Sequence, residues 1–165
     1  MSNFSNLDYF SLVAALLFTA LPIHTANADG NPPLMQFNSQ SLETIEQRFG
    51  SERLLVSLWS IDCPPCLKEI ALLSRLLGDG ASYQLVLINT DGPGARAEAE
   101  STLAQFDLPG SSLWIFGEEP AERLRFSIDP DWRGEMPRSY LYSTTARVAY
   151  SGLLQESVIR DWLDQ

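Results

Sequence analysis

Two cysteines, in the order Cys63-Pro64-Pro65-Cys66, stand between a short apolar run and a long amphipathic one. That order is the strongest constraint on how this chain can fold. The first run, Leu54 to Trp59, reads Leu-Leu-Val-Ser-Leu-Trp and has the length and apolar density of a buried strand. It stops at Ser60-Ile61-Asp62. After Cys66, the residues Leu67, Ile70, Ala71, Leu73, Leu76 and Leu77 recur at helical spacing. The thiols therefore fall where a strand hands over to a helix, with Cys63 at or just before the helix N-terminus. Unpaired backbone N–H groups and the helix dipole favour a thiolate there. Proline costs little at the first helical positions, because those N–H groups have no intrahelical partner. The chemistry this arrangement suits is thiol–disulfide exchange.

Two plainer readings of the motif are weaker. A structural zinc site usually needs four ligands, and this chain has two Cys and a single His, His24. A disulfide kept only as a staple would close so short a loop that it removes little entropy from the unfolded chain. Both cysteines lie in the one motif, so no separate disulfide framework supports the fold and the core must suffice. No cofactor and no metal is expected.

The sequence carries 21 acidic and 11 basic residues, for a formal charge of −10, and Lys68 is its one lysine. That balance argues against binding nucleic acid or an anionic membrane surface through charge. With 165 residues the chain is long enough for one domain with a substantial core.

Residues 1–28 read as an address label. Phe10 to Ile23 is almost entirely apolar but short for a membrane span. Ala26-Asn27-Ala28 follows as a small-x-small cleavage pattern, which predicts a secretory signal peptide cut after Ala28. The first ten residues hold no Lys or Arg and include Asp8, so the usual positive start is missing. The alternative is an uncleaved anchor facing the periplasm. Export implies an oxidising compartment, in which a Cys pair is either kept reduced by a supplier or used as an oxidant.

Residues 29–33 form a polar, proline-bearing lead-in, and residues 34–165 a single domain. Leu34 to Phe37 reads as a short strand. Ser41 reads as the N-cap of a helix over Leu42 to Phe49, with Gly50 beyond it. The helix after Cys66 ends near Gly78-Asp79-Gly80. Further strands are expected at Gln84 to Asn89, Leu113 to Phe116, Ser139 to Tyr142 and Arg147 to Ser151. Further helices are expected at Ala95 to Phe106, Pro120 to Phe126 and Val158 to Leu163. Strands alternating with helices, then a late hairpin and a last helix, predict an α/β sandwich with a mixed sheet.

Leu58-Trp59-Ser60-x-x-Cys63-Pro64-Pro65-Cys66, then Glu69, then Trp132-x-Gly134-x-Met136-Pro137-x-x-Tyr140-Leu141 before a strand, resembles the thioredoxin-like family. Within it the chain is most similar to exported TlpA/ResA-type thiol–disulfide oxidoreductases. The resemblance covers roughly residues 34–165 and implies a three-layer sandwich with a mixed central β-sheet flanked by helices. It implies that the Met136–Pro137 bond is cis and faces the thiols, and that the backbone of Met136 pairs with a substrate segment as a strand would. By its place before Pro137, Trp132 is expected to border the site.

The chain departs from the family pattern at three positions. Asp62 stands where a Trp usually precedes the first Cys. Ser57 stands where thioredoxin has a buried acid that manages protons. Ala71 lies near the place of a proline that often kinks the active-site helix. Asp62 reads either as a substitute proton acceptor for Cys66 or, more plainly, as a solvated turn residue.

In the expected reaction, Cys63 is the nucleophile and Cys66 the resolving thiol. No His or Arg lies between them, Asp62 adds a negative charge beside Cys63, and Lys68 partly opposes it. The balance predicts a comparatively reducing pair, hence a reductase of disulfides in partner proteins. The resemblance implies a membrane electron donor and targets such as the haem-attachment cysteines of apocytochromes c. The alternative is a non-catalytic thioredoxin-like module that senses redox state or binds a partner. A peroxidase is disfavoured because a second Cys so close is better explained by exchange. Copper delivery is disfavoured because the exported chain would lack a His ligand.

Overall fold

The computed structural model describes residues 30–50, 52–80 and 82–165. The leader expected over residues 1–28 lies outside the described residues. Among the described residues, no helix is long and apolar enough to cross a membrane.

Strand β2 (Leu54–Trp59) is buried along its whole length, so both faces of the sheet around it must be covered. Its side chains alternate between two apolar clusters. Leu55 and Trp59 belong to one, and Leu54, Val56 and Leu58 to the other. Strand β3 (Gln84–Asn89) alternates in the same way, with Leu85 and Leu87 on the first face and Val86 and Ile88 on the second.

The remaining elements follow from that demand. Strand β1 (Leu34–Phe37) leads into helix α1 (Ser41–Phe49). After β2 come helix α2 (Pro64–Gly78) and then β3. A 3-10 turn at Pro93–Ala95 precedes helix α3 (Arg96–Leu103), strand β4 (Ser112–Phe116) and helix α4 (Ala121–Ile128). Strands β5 (Arg138–Tyr142) and β6 (Arg147–Ser151) form the late hairpin, and helix α5 (Glu156–Leu163) ends the chain. The sheet order is β1-β4-β3-β2-β5-β6. β1, β4, β3 and β2 are mutually parallel, while β5 runs antiparallel to both β2 and β6.

Helices α2, α3 and α5 contribute Ile70, Leu73, Leu76, Ala99, Leu103, Ile159 and Trp162 to the first face. Helices α1 and α4 cover the second with Leu42, Ile45, Phe49, Leu124 and Ile128. This is the sandwich that the alternation of elements predicts. Ile70 and Leu73 are fully enclosed, and truncating such a side chain to Ala costs about 2–5 kcal/mol. With Ala71 in its middle and no internal proline, α2 runs unbroken for 15 residues.

Two boundaries differ from the sequence reading for identifiable reasons. Ser41 is the first helical residue, not the N-cap, and the cap position is Gln40. Asn38 has taken over the start. Its Oδ1 accepts from Gln40 N at 2.9 Å and from Ser41 Oγ at 3.2 Å, while Ser41 Oγ accepts from Asn38 N at 2.9 Å. Helix α3 stops at Leu103, short of Phe106. There Asn31 Nδ2 donates to the carbonyls of Leu103 (3.0 Å) and Phe106 (2.9 Å), and Leu108 N donates to Asn31 Oδ1 (3.0 Å). A side chain 72 residues away in sequence thus satisfies carbonyls that further helix would have used.

Candidate active site

The thiol pair stands at the sheet edge where β2 and β3 end. Trp59 closes β2, and its carbonyl accepts from Thr90 N at 3.0 Å. The next residues are held by Asp91, whose carboxylate accepts from Ser60 Oγ (2.6 Å), Ile61 N (2.8 Å) and Asn89 Nδ2 (2.8 Å). Cys63 N then donates to Ser60 O at 3.2 Å, which tightens the turn into α2.

Cys63 is the N-cap of α2, with Pro64 and Pro65 in the first helical positions. Its sulfur accepts from Cys66 N at 3.2 Å. This is the contact a capping Ser or Asp makes through oxygen, made here through sulfur. The two cysteines are joined by a disulfide with a Cα–Cα distance of 5.2 Å. Cys63 is 9% exposed and Cys66 1%, so Cys63 is the more accessible residue of the pair.

The same edge receives the loop before β5. In the β2–β5 ladder, Arg138 lies opposite Leu58 and Ser139 opposite Ser57. Pro137 is therefore level with Trp59, on the strand beside it. The Met136–Pro137 peptide is cis, and Pro137 O accepts from Gly152 N at 2.8 Å. Met136 is half-buried and packs against both apolar clusters. Among the described residues its backbone N–H and C=O make no hydrogen bond.

Behind the sulfurs lies a buried carboxylate. Glu69 is fully enclosed and sits one helical turn beyond Cys66, on the same face of α2. Its Oε1 accepts from Ser57 Oγ (2.8 Å) and Ser139 Oγ (2.5 Å), and its Oε2 accepts from Leu154 N (2.8 Å). Three donors satisfy the charge, as a buried carboxylate requires. The departure at Ser57 thus has a counterpart in space. The strand position that lacks an acid presents a hydroxyl to an acid carried by the helix.

The other residues singled out from the sequence fall in three places. Asp62 and Lys68 are exposed, and neither makes a side-chain hydrogen bond or ion pair among the described residues. Trp132 is buried on the α1/α4 face, with its Nε1 donating to Glu135 O at 2.9 Å. Trp59 is enclosed with both cysteines, and among the described residues its Nε1 has no hydrogen-bond partner. Asp91 and Arg138 carry site geometry that the sequence reading did not anticipate. The signal for Asp91 was slight, an Asn-x-Asp at the end of a predicted strand beside the cysteine loop.

The sheet order, the cysteine pair at the mouth of α2 and the cis proline opposite decide the fold comparison. The fold is thioredoxin-like. A thioredoxin-related protein from Neisseria meningitidis serogroup B superposes with a TM-score of 0.55 at 20% identity, over 72% of this chain and 87% of that one. A DsbF homologue from Corynebacterium diphtheriae gives 0.53 at 15% identity, over 72% and 74%. A secreted Mycobacterium tuberculosis disulfide oxidoreductase homologous to E. coli DsbE gives 0.52 at 13% identity, over 68% and 81%. No family model matches the chain, and no curated protein matches it. The thioredoxin-like fold thus stands on geometry, with 13–20% sequence identity to these neighbours.

Proposed function

We propose that this protein is an exported thiol–disulfide oxidoreductase that reduces disulfides in partner proteins. The observation that carries the reading is the hydrogen bond from Cys66 N to Cys63 Sγ at the N-terminus of α2. A sulfur that accepts from a helix-terminal amide, in the dipole field of a 15-residue helix, is better stabilised as a thiolate than a free thiol. Its greater exposure supports the reading of Cys63 as the nucleophile and Cys66 as the resolving thiol.

The reaction balances in two exchanges. In the reduced protein the Cys63 thiolate attacks one sulfur of a partner disulfide. A Cys63–partner S–S bond forms, and the partner's other sulfur leaves as a thiolate. The Cys66 thiol loses its proton and attacks Cys63 Sγ, which expels the second partner sulfur and closes the Cys63–Cys66 bridge. Two electrons pass to the partner; one proton comes from the Cys66 thiol and the other from solvent, which took it up when the Cys63 thiolate formed, so the partner ends as a dithiol. The oxidised pair needs a dithiol donor to return it to service, and a membrane electron-transfer protein is the class that could deliver electrons across a membrane. Haem-attachment cysteines of apocytochromes c are one target class. The free N–H and C=O of Met136 beside Pro137 support strand-like pairing with an extended partner segment. The secreted M. tuberculosis oxidoreductase, which shares the fold, supports a role outside the cytoplasm.

The test is trapping. A Cys66→Ser variant expressed in its native host is expected to hold its partner as a mixed disulfide through Cys63, identifiable by mass spectrometry after non-reducing electrophoresis. No trapped species, together with a Cys63 inert to alkylation, would replace exchange with a non-catalytic partner-binding role. A reduction potential near about −120 mV, that of a dedicated oxidant, would reverse the direction of electron flow.

A further inference from the structure

Arg138 follows Pro137 directly, yet its side chain lies on the other side of the sheet from the thiols. Alternation along β5 puts Ser139, which meets Glu69, on the α2 face, and Arg138 and Tyr140 on the α1/α4 face. The Arg138 side chain is only 12% exposed, and each nitrogen of its guanidinium is engaged. Nη2 donates to Asp129 Oδ2 at 2.6 Å. Nη1 donates to Glu135 Oε1 at 3.1 Å and to Ser151 Oγ at 2.5 Å. Nε donates to Tyr140 Oη at 3.2 Å. Tyr140 Oη donates in turn to Asp129 Oδ2 at 3.0 Å, and Ser151 Oγ to Glu135 Oε1 at 2.8 Å.

These partners occupy four places: the end of α4, the residue before Met136, β5 itself and the neighbouring strand β6. The segment from Asp129 to Pro137 is thus tied at both ends to one fixed cation. A second set of bonds runs within it, from Trp132 Nε1 to Glu135 O and from Arg133 N to Glu135 Oε2 at 3.1 Å. Gly134 turns the chain with φ +96°, a conformation that costs a residue with a side chain more than it costs glycine. Met136 stays unbonded in this arrangement: among the described residues its backbone N–H and C=O make no hydrogen bond.

We propose that Arg138 is a positioning residue for the partner. From behind the sheet it fixes the 129–137 segment so that the Met136 backbone is presented, ready-made, to an extended polypeptide carrying the disulfide. The proposal rests on the exchange reading above and adds a division of labour to it. Cys63, Cys66 and the α2 terminus set the sulfur chemistry, and Arg138 sets how well a polypeptide, as opposed to a small disulfide, is received. A guanidinium suits this task because its rigid fork holds several acceptors at fixed angles, which an ammonium cannot reproduce.

The experiment compares two probes on the reduced protein. One is an unstructured peptide with a single intramolecular disulfide, and the other is 5,5′-dithiobis(2-nitrobenzoate), too small to pair with Met136. Arg138→Met is expected to lower kcat/KM for the peptide about tenfold more than it lowers the rate with the small disulfide, through a raised KM. The Cys63–Cys66 potential, read against a glutathione series, is expected to stay at the wild-type value. Arg138→Lys is expected to recover part of the loss. Equal losses with both probes, or a shifted potential, would place Arg138 with the sulfur chemistry and overturn the proposal; so would an unchanged KM for the peptide. Should Arg138→Met not fold, Ser151→Ala removes one acceptor of the same guanidinium from an exposed strand. It must raise the peptide KM by a smaller factor, and no change overturns the proposal. A wild-type protein inert toward both probes would remove the exchange reading itself, and this inference with it.

Discussion

Ser139 Oγ donates to Glu69 Oε1 across 2.5 Å inside the core, two residues past Pro137 and one helical turn past Cys66. One carboxylate therefore joins the helix that carries the thiols to the strand that follows the cis proline. Through Ser57 Oγ and Leu154 N it also joins the central strand and the approach to α5. Removing the carboxylate leaves three donors without an acceptor where water does not reach. Glu69→Ala is expected to destabilise the oxidised protein, by about 1–3 kcal/mol for each buried donor left unsatisfied. Glu69→Gln keeps one oxygen, and the serine hydroxyls can turn to accept from its amide, so its cost should be roughly half as large. Urea unfolding of both variants checks the order, and equal costs would contradict it.

The charge of Glu69 has a second consequence. Helical spacing sets it on the same face of α2 as Cys66, in surroundings where Coulomb interactions are poorly screened. A fixed negative charge there opposes a Cys66 thiolate. Glu69→Gln is therefore expected to lower the pKa of the Cys66 thiol and to make the pair more oxidising. The alkylation rate of a Cys63→Ser variant, followed against pH, reads the first effect, and a glutathione titration of the Cys63–Cys66 pair reads the second. A profile displaced to higher pH would be the wrong sign.

Asp91 controls the approach to Cys63 by a different route. Its carboxylate receives Ser60 Oγ and Ile61 N, but it is exposed, so water can replace it. Asp91→Ala is expected to cost only about 1 kcal/mol of global stability. Its clear signature should be local: faster hydrogen exchange at the Ile61 amide, with the amides of β2 unaffected. Unchanged protection at Ile61 would show that the loop is held by other contacts.

Much of this architecture could be read from the chain. Apolar runs at β2 and β3 and the helical recurrence after Cys66 reported elements whose burial depends on local pattern. The cysteine motif reported its own position at a strand–helix junction. What stayed hidden depends on residues that meet only after folding. Glu69 was visible as part of a resemblance, but nothing in its neighbourhood says that Ser57 and Ser139 close on it, since the three come together through strand pairing and helix packing. Nothing in the sequence marked Arg138, because its acceptors Asp129, Glu135, Tyr140 and Ser151 are brought around it only by folding. Asn31 stood in a stretch with the composition of a loose lead-in, yet it ends α3 from across the molecule.

Exposure separates the two cysteines, at 9% for Cys63 and 1% for Cys66. In the reduced protein Cys63 is therefore expected to react with iodoacetamide at least about tenfold faster than Cys66 at neutral pH, because it combines access with the helix-terminal N–H that favours its thiolate. Peptide mapping after brief alkylation measures the ratio. Equal labelling would remove the basis for naming Cys63 the nucleophile.

The Arg138 cluster makes stability depend on pH in a definable window. Burial works against the charge of Asp129, but hydrogen bonds from Arg138, the Asp131 amide and Tyr140 outweigh it and hold the carboxyl below its usual pKa. Glu135 is likewise held low: burial opposes its charge, and hydrogen bonds from Ser151 and backbone amides, with the nearby Arg138 charge, prevail. Tyr140 is pushed up to about 12, chiefly by burial, and so keeps its proton throughout. Ordinary carboxyls titrate near about pH 4. Above about pH 5 both groups are ionised whether the chain is folded or not, and their contribution is fully present. As pH falls from there through the depressed folded values, the unfolded chain binds more protons than the folded one, and that contribution is lost. Glu156 is also held low, first by its hydrogen bond from Arg75, but it is remote from Arg138 and adds the same slope to any Arg138 variant. The stability gap between wild type and Arg138→Met, from urea midpoints, should thus be widest at pH 6 and narrow steadily toward about pH 3. A gap that stays constant over that range would mean that Asp129 and Glu135 owe their depressed pKa values to something other than this guanidinium.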